Sequence, residues 1–160
     1  MSSTDSGVMS LRATVQACWY ALADGDPDTA DQLTSTAIPQ AKLWEPEALP
    51  ALLEVFGEVQ LFRSDFERAK TTARAVGKLG WAPEALCLAI EGAALCVEPA
   101  VVLRGYRELG RWVEQYGWPR PRDPRRHVER PGVRAAEAAV ALGQVALAQT
   151  ILKGVCRHSP

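Results

Sequence analysis

Along most of the chain apolar residues recur at steps of three and four, and no segment alternates apolar and polar positions long enough to read as a strand. That period belongs to amphipathic helices. Phe66, Ala69, Ala73 and Val76 fall 3, 4 and 3 apart, behind a Ser64-Asp-Phe-Glu67 stretch with the form of a capping box. In such a box the serine oxygen and the glutamate side chain each satisfy a backbone N–H at the helix start, so a helix is expected just after Ser64. Its stripe is small at the middle and suits close approach by a neighbouring helix.

The same pattern places the other elements. Ser10 caps a first helix to about Ala23, with Leu11, Val15, Cys18, Trp19 and Leu22 on one face and Gly25 ending it. Asp26 followed by Pro27 starts a second helix carrying Ala30, Leu33 and Ala37, and Pro39 is expected to close it. A connector, 40–45, carries Trp44. A third helix then begins near Pro46 or Pro50 and reaches Phe62, with Leu49, Leu52, Leu53, Phe56 and Val59 inward. Gly77, Gly80 and Trp81 mark the end of the fourth helix, and Pro83 opens a fifth. Residues 85–97 are apolar nearly all round, which predicts a helix covered on more than one side. Pro99 starts a sixth helix to about Tyr116, ended by Gly117; a last Ala-rich pair, 133–142 and 145–155, turns at Gly143.

Between these lies the one compositional shift, Trp118 to Arg134, where Pro119, Pro121, Pro124 and Pro131 forbid a continuous helix. The expected organisation is a leader over 1–8, disordered, then one helical domain over 9–156 with a Pro/Arg-rich loop at 118–132, then a tail over 157–160. With 160 residues one domain suffices, and a composition of 48% hydrophobic but only 7% aromatic residues favours helix over sheet.

A net charge of -1 gives no global attraction to nucleic acid or to an anionic membrane. The start lacks the charged and apolar regions of a signal peptide, and no run of apolar residues is long enough to span a bilayer, so a cytoplasmic protein without a membrane partner is expected. Cys18, Cys87, Cys96 and Cys156 are widely spaced, which fits small buried hydrophobes rather than a zinc site or disulfide framework. Asp24, Asp26 and Asp28 alternate like the opening of a calcium loop, but Thr29 and Ser35 stand where such a loop needs glycine and glutamate. A capped turn accounts for them. No cofactor or metal is expected. The sole charge in 85–97, Glu91, reads either as a buried carboxylate with a raised pKa or as the partner of an arginine such as Arg104 or Arg107; no companion group completes a reaction centre.

Three turns share a layout: GDPDTA at 25–30, SDFERA at 64–69 and GQVALA at 143–148, each with a small turn residue five positions before an alanine. Room remains for a further turn near Glu98 and Pro99, so four hairpins and eight helices fit. Gly57 and Ala69, twelve apart, match the small residues at the helix crossing of a tetratricopeptide repeat, and Pro83 lies a little beyond its closing proline. The chain therefore resembles a degenerate tetratricopeptide-like repeat, similar to the helical-repeat domains of bacterial regulators. It departs from that family in lacking most of its aromatic positions and its regular spacing. An irregular helical bundle is the alternative architecture.

The resemblance implies an all-α, right-handed superhelix of stacked antiparallel hairpins that binds a partner peptide or helix in a groove, as an adaptor or regulatory module and not as an enzyme. Candidate groove residues are Trp19, Tyr20, Phe56, Phe62 and Glu91. The second candidate surface is an anion-binding patch formed by Trp118, Arg120, Arg122, Arg125, Arg126, His127, Arg130 and Arg134, which would make the protein a nucleic-acid-associated factor. Arginine forks clamp phosphate, and a tryptophan stacks on a base. The apolar character of the last helix pair leaves a homo-oligomer open.

Overall fold

In the computed structural model, residues 10–117 and 129–158 are described, and every element among them is helical. The order is α1 (Leu11–Ala23), α2 (Pro27–Trp44), a single 3-10 turn (Pro46–Ala48), α3 (Leu49–Phe62), α4 (Phe66–Lys78), α5 (Ala82–Leu95), α6 (Pro99–Tyr116), α7 (Arg130–Ala141) and α8 (Val145–His158). The expected leader, and the proline-rich stretch from Trp118 to Val128, lie outside the described residues.

One turn design connects most of these helices. After α1, α3, α4, α5 and α7 the chain passes through a left-handed residue, respectively Gly25, Ser64, Gly80, Val97 and Gly143. The next N–H then reaches back five residues: Asp26 to the Ala21 carbonyl at 2.8 Å, Asp65 to Gln60 at 2.8 Å, Glu98 to Ala93 at 2.9 Å and Gln144 to Ala139 at 2.8 Å. This Schellman closure satisfies carbonyls that the helix end leaves open and turns the chain straight into the following helix. Glycine takes the left-handed conformation without strain; Ser64 and Val97 take it at φ 61° and 56°.

That geometry corrects the reading of Ser64. It is the residue closing α3, and Asp65 stands at the N-cap of α4 with no side-chain cap bond. A residue held left-handed two positions before Phe66 cannot act as its N-cap. The Ser10 and Asp26 caps do form, with Ala13 N–H donating to Ser10 Oγ at 3.1 Å and Thr29 N–H to Asp26 Oδ1 at 3.1 Å. Pro39 does not end α2, which continues to Trp44. Its ring lies on the exposed side, and the helix accepts one missing hydrogen bond. Gly77 likewise sits inside α4, against Ala85 of α5. The last pair starts earlier than expected, at Arg130, with Pro131 in its first turn.

The hairpins α1–α2, α3–α4, α5–α6 and α7–α8 share one register. Cys18 and Ala30, Gly57 and Ala69, Ile90 and Val102, and Ala136 and Ala148 are each twelve residues apart, and all eight are buried. They sit where the two helices of a hairpin approach: the Cys18 thiol lies 3.8 Å from the Ala30 carbonyl. A Cβ on Gly57 would come within 2.9 Å of Leu88, so the absent side chain lets α5 close on α3.

Stacking follows the chain. Each first helix packs on both helices of the preceding hairpin: α3 on α1 and α2, α5 on α3 and α4, α7 on α5 and α6. The odd-numbered helices therefore form a continuous row. α5 touches four helices, which is why its sequence is apolar on nearly all sides.

Candidate functional site

A polar seam crosses that row. α3 contributes Glu54 and Glu58 one turn apart, α5 contributes Glu84, Cys87 and Glu91 at steps of three and four, and α7 contributes Arg130 and Arg134 one turn apart. Spacings of three and four put each set on one helix face. Glu54, Glu84 and Glu91 are buried.

The arginines of α7 reach across the row. Arg130 donates from Nη1 to both Glu58 oxygens, at 3.1 and 3.0 Å, and its Nε lies 3.2 Å from Glu91 Oε2. Arg134 donates from Nη2 to Glu91 Oε1 at 2.8 Å and from Nε to Oε2 at 3.1 Å, and its Nη1 is 3.4 Å from Glu137. One carboxylate on α5 thus takes two guanidinium groups, and one of these also holds α3. Charge-assisted, forked bonds of this kind fix both distance and orientation.

The electrostatics agree with a structural clasp. Burial pushes the Glu91 carboxyl up, but the Arg134 hydrogen bonds and the Arg130 charge outweigh it, and the net pKa lies below the ordinary value. Glu91 is ionised at neutral pH with both oxygens engaged, the opposite of a raised general acid. Burial also drives the Cys87 thiol well up, with Glu54, Glu84 and Glu58 adding to the shift against a smaller pull from Arg130. That thiol stays protonated and unreactive at neutral pH. Past Glu91 the seam opens into a cavity of about 200 Å³ between α5, α6 and α7, bordered by Arg134, Glu137, Glu98 and apolar residues such as Ala94 and Ala138.

Two expectations change here. Glu91 is paired, but with Arg130 and Arg134 of α7; Arg104 and Arg107 point outward from α6. Arg130 and Arg134, read from the sequence as part of an anion-binding patch, are instead engaged by Glu58 and Glu91. The remaining members of that patch, Trp118, Arg120, Arg122, Arg125, Arg126 and His127, lie outside the described residues.

The aromatic candidates differ in exposure. Tyr20 and Phe62 are 67% and 54% exposed, whereas Phe56 is half-buried on α3 and Trp19 packs beside the cluster of Cys18, Ala30, Val55 and Val59. In the hairpin register Trp19 occupies the position that Glu58, Glu91 and Glu137 occupy on the later helices, so it belongs to the same face as the seam. Glu54, Glu58 and Glu84 are not singled out as site residues from the sequence, and Cys87 reads there only as a small buried hydrophobe. Their signal was there: charged residues repeating at helical spacing on two otherwise apolar helices.

Other charges brace the outside. Arg63 at the end of α3 holds Asp31 of α2 at 2.7 Å and also pairs with Asp28, and Lys70 bridges Glu67 and Glu98, each at 3.3 Å. Asp26 serves as a cap and Asp28 as an ion-pair partner. Among the described residues no cluster of three His, Cys, Asp or Glu side chains has a metal-binding arrangement, and no helix is long and apolar enough to cross a membrane. No family model matches the chain, and neither a curated protein nor a solved structure matches it.

Proposed function

We propose that the chain is a non-enzymatic protein-interaction module, a degenerate tetratricopeptide-like superhelix whose odd-numbered helices line a groove for a partner peptide or helix. Its role would be that of a cytoplasmic adaptor or regulatory domain. The observation that carries this reading is the continuous row α1, α3, α5 and α7, in which each helix packs on the hairpin before it. Such a row presents one long, shallow face, the shape that helical-repeat proteins use to lay a partner along their axis.

The seam supports this reading by making the row stiff. Helices clasped to one another through Glu58, Glu91, Arg130 and Arg134 offer a partner a preformed surface, which lowers the ordering cost of binding. Phe62, exposed at the end of α3, and Trp19, on the same face of α1, are the apolar contacts available along it. A nucleic-acid reading loses support from the same contacts, since two of the six arginines in the basic stretch are occupied within the chain.

The test is partner capture from native cells with the wild-type chain, Phe62→Glu, and Arg107→Glu on the outward side of α6. The expected outcome is that Phe62→Glu loses the captured partner and Arg107→Glu retains it. The reverse pattern would move the binding surface to the even-numbered helices.

A further inference from the structure

The hairpin register gives each position a job, and the two ends of the stack show jobs left undone. On α3, Leu52 and Val59 pack against the first hairpin; on α5, Ala85 and Ala89 pack against the second; on α7, Ala135 and Ala138 pack against the third. Their counterparts on α1 are Ala13, Ala17 and Tyr20. Ala13 is exposed, Ala17 is half-buried, and Tyr20 is 67% exposed. α1 thus carries a docking face of the same small-residue kind, facing solvent.

The other end carries the matching acceptor. Leu61 and Ala73 of the second hairpin share a cluster with Leu88 of α5, and Tyr106 of the third packs against the cluster that holds Ala135, Ala136 and Ala139 of α7. In α7–α8 the same positions are Val140, counterpart of Leu61, and Leu152, counterpart of Ala73 and Tyr106. They are 56% and 42% exposed, and Val133 and Val145 on the same two helices are 40% and 55% exposed. Among the described residues α8 packs chiefly against α7.

Charge follows the same register. Within the chain, Arg130 at the head of α7 meets Glu91 of α5 at 3.2 Å. The end counterparts of these two residues are Arg12 on α1 and Glu137 on α7, both exposed, and Glu137 meets Arg134 of its own helix at 3.4 Å. We infer that the chain self-associates head to tail: α1 of one copy docks on the α7–α8 face of the next, with Tyr20 and Ala13 against Val140 and Leu152 and with Arg12 facing Glu137. A face-to-face pairing of two α7–α8 surfaces would leave Tyr20 and Arg12 of both copies uncovered, so the second copy docks through α1. The contact is heterologous, and it propagates unless the stack closes into a ring. It does not depend on the groove for a foreign partner, because the contact uses the Ala13, Ala17 and Tyr20 side of α1 and the Val140 and Leu152 positions of the last hairpin.

Sedimentation velocity on the whole chain over a wide concentration range tests this, with Tyr20→Glu and Val140→Glu as variants whose folding is checked by circular dichroism. The wild type is expected to exceed the mass of a dimer as concentration rises, and each variant alone to remain a monomer. An equal mixture of the two variants should form a dimer of about twice the monomer mass and go no further, because each variant keeps one working end. Arg12→Glu should weaken the association about tenfold, and adding Glu137→Arg should restore it. A wild type that stays monomeric throughout overturns the inference. So does a wild type that stops at a dimer while the two variants fail to complement each other.

Discussion

Arg134 on α7 grips Glu91 on α5 through two nitrogens, Nη2 to Oε1 at 2.8 Å and Nε to Oε2 at 3.1 Å, while Arg130 approaches the same carboxylate from one turn away. The carboxylate side chain is 7% exposed and the two guanidinium groups 31% and 35%, so the penalties for breaking the set are unequal. Glu91→Ala should cost about 2–3 kcal/mol, because it takes the shared carboxylate from two partly buried cations and leaves Arg130 to Glu58 and Arg134 to Glu137. Arg134→Ala should cost about 1–2 kcal/mol, since Arg130 stays to hold Glu91. The double variant should lose less than the sum of the two. Urea unfolding of the four proteins measures all three statements.

The pH dependence of that clasp has a definite sign. The folded Glu91 pKa lies below its unfolded value, so the stabilisation is present above the ordinary carboxylate range and is lost as pH falls through the folded pKa. The stability gap between wild type and Glu91→Gln should therefore be widest near neutrality and close below about pH 4. A urea midpoint series from pH 7 to pH 3 reads it. A gap that widens on acidification would show that Glu91 is not held as the anion.

Gly57 should tolerate no side chain while Leu88 stands opposite. Gly57→Ala places a Cβ 2.9 Å from Leu88 Cδ1, and the overpacking should cost about 1–3 kcal/mol despite alanine's better helix propensity. Thermal unfolding of Gly57→Ala with and without Leu88→Val checks the cause, for the second change should recover part of the loss.

Val97 should be improvable. It is 82% exposed and held at φ 56°, where a β-branched side chain is strained. Val97→Gly should raise stability by about 1 kcal/mol, read as an upward shift in melting temperature, because little packing is lost and the turn keeps its Glu98 to Ala93 hydrogen bond.

Much of this architecture was legible in the residues. Ser10 and the Asp26-Pro27 pair announced helix starts, Gly25, Gly117 and Gly143 announced ends, and the unbroken apolar surface of 85–97 announced a central helix. The misreadings have two causes. Ser64 and Val97 adopt a conformation that sequence assigns to glycine, so the turn design seen at Gly25 was hidden at two of its copies. Pro39, read as a stop, sits on a solvent-facing side where the helix runs past it. The seam was harder. Glu91 stood out by being alone on its helix, but its partners lie on α7, across the long proline-rich stretch, and nothing local links residue 91 with residues 130 and 134. Stacking, not chain proximity, brings them together.

The claim that the odd-numbered helices form the partner-binding face is tested most directly by site-specific photo-crosslinking in the native cell, with a benzophenone side chain placed at Phe62 on α3 or at Arg107 on α6. A discrete crosslinked partner is expected from position 62 and none from position 107. A partner captured from position 107 with none from position 62 would contradict it.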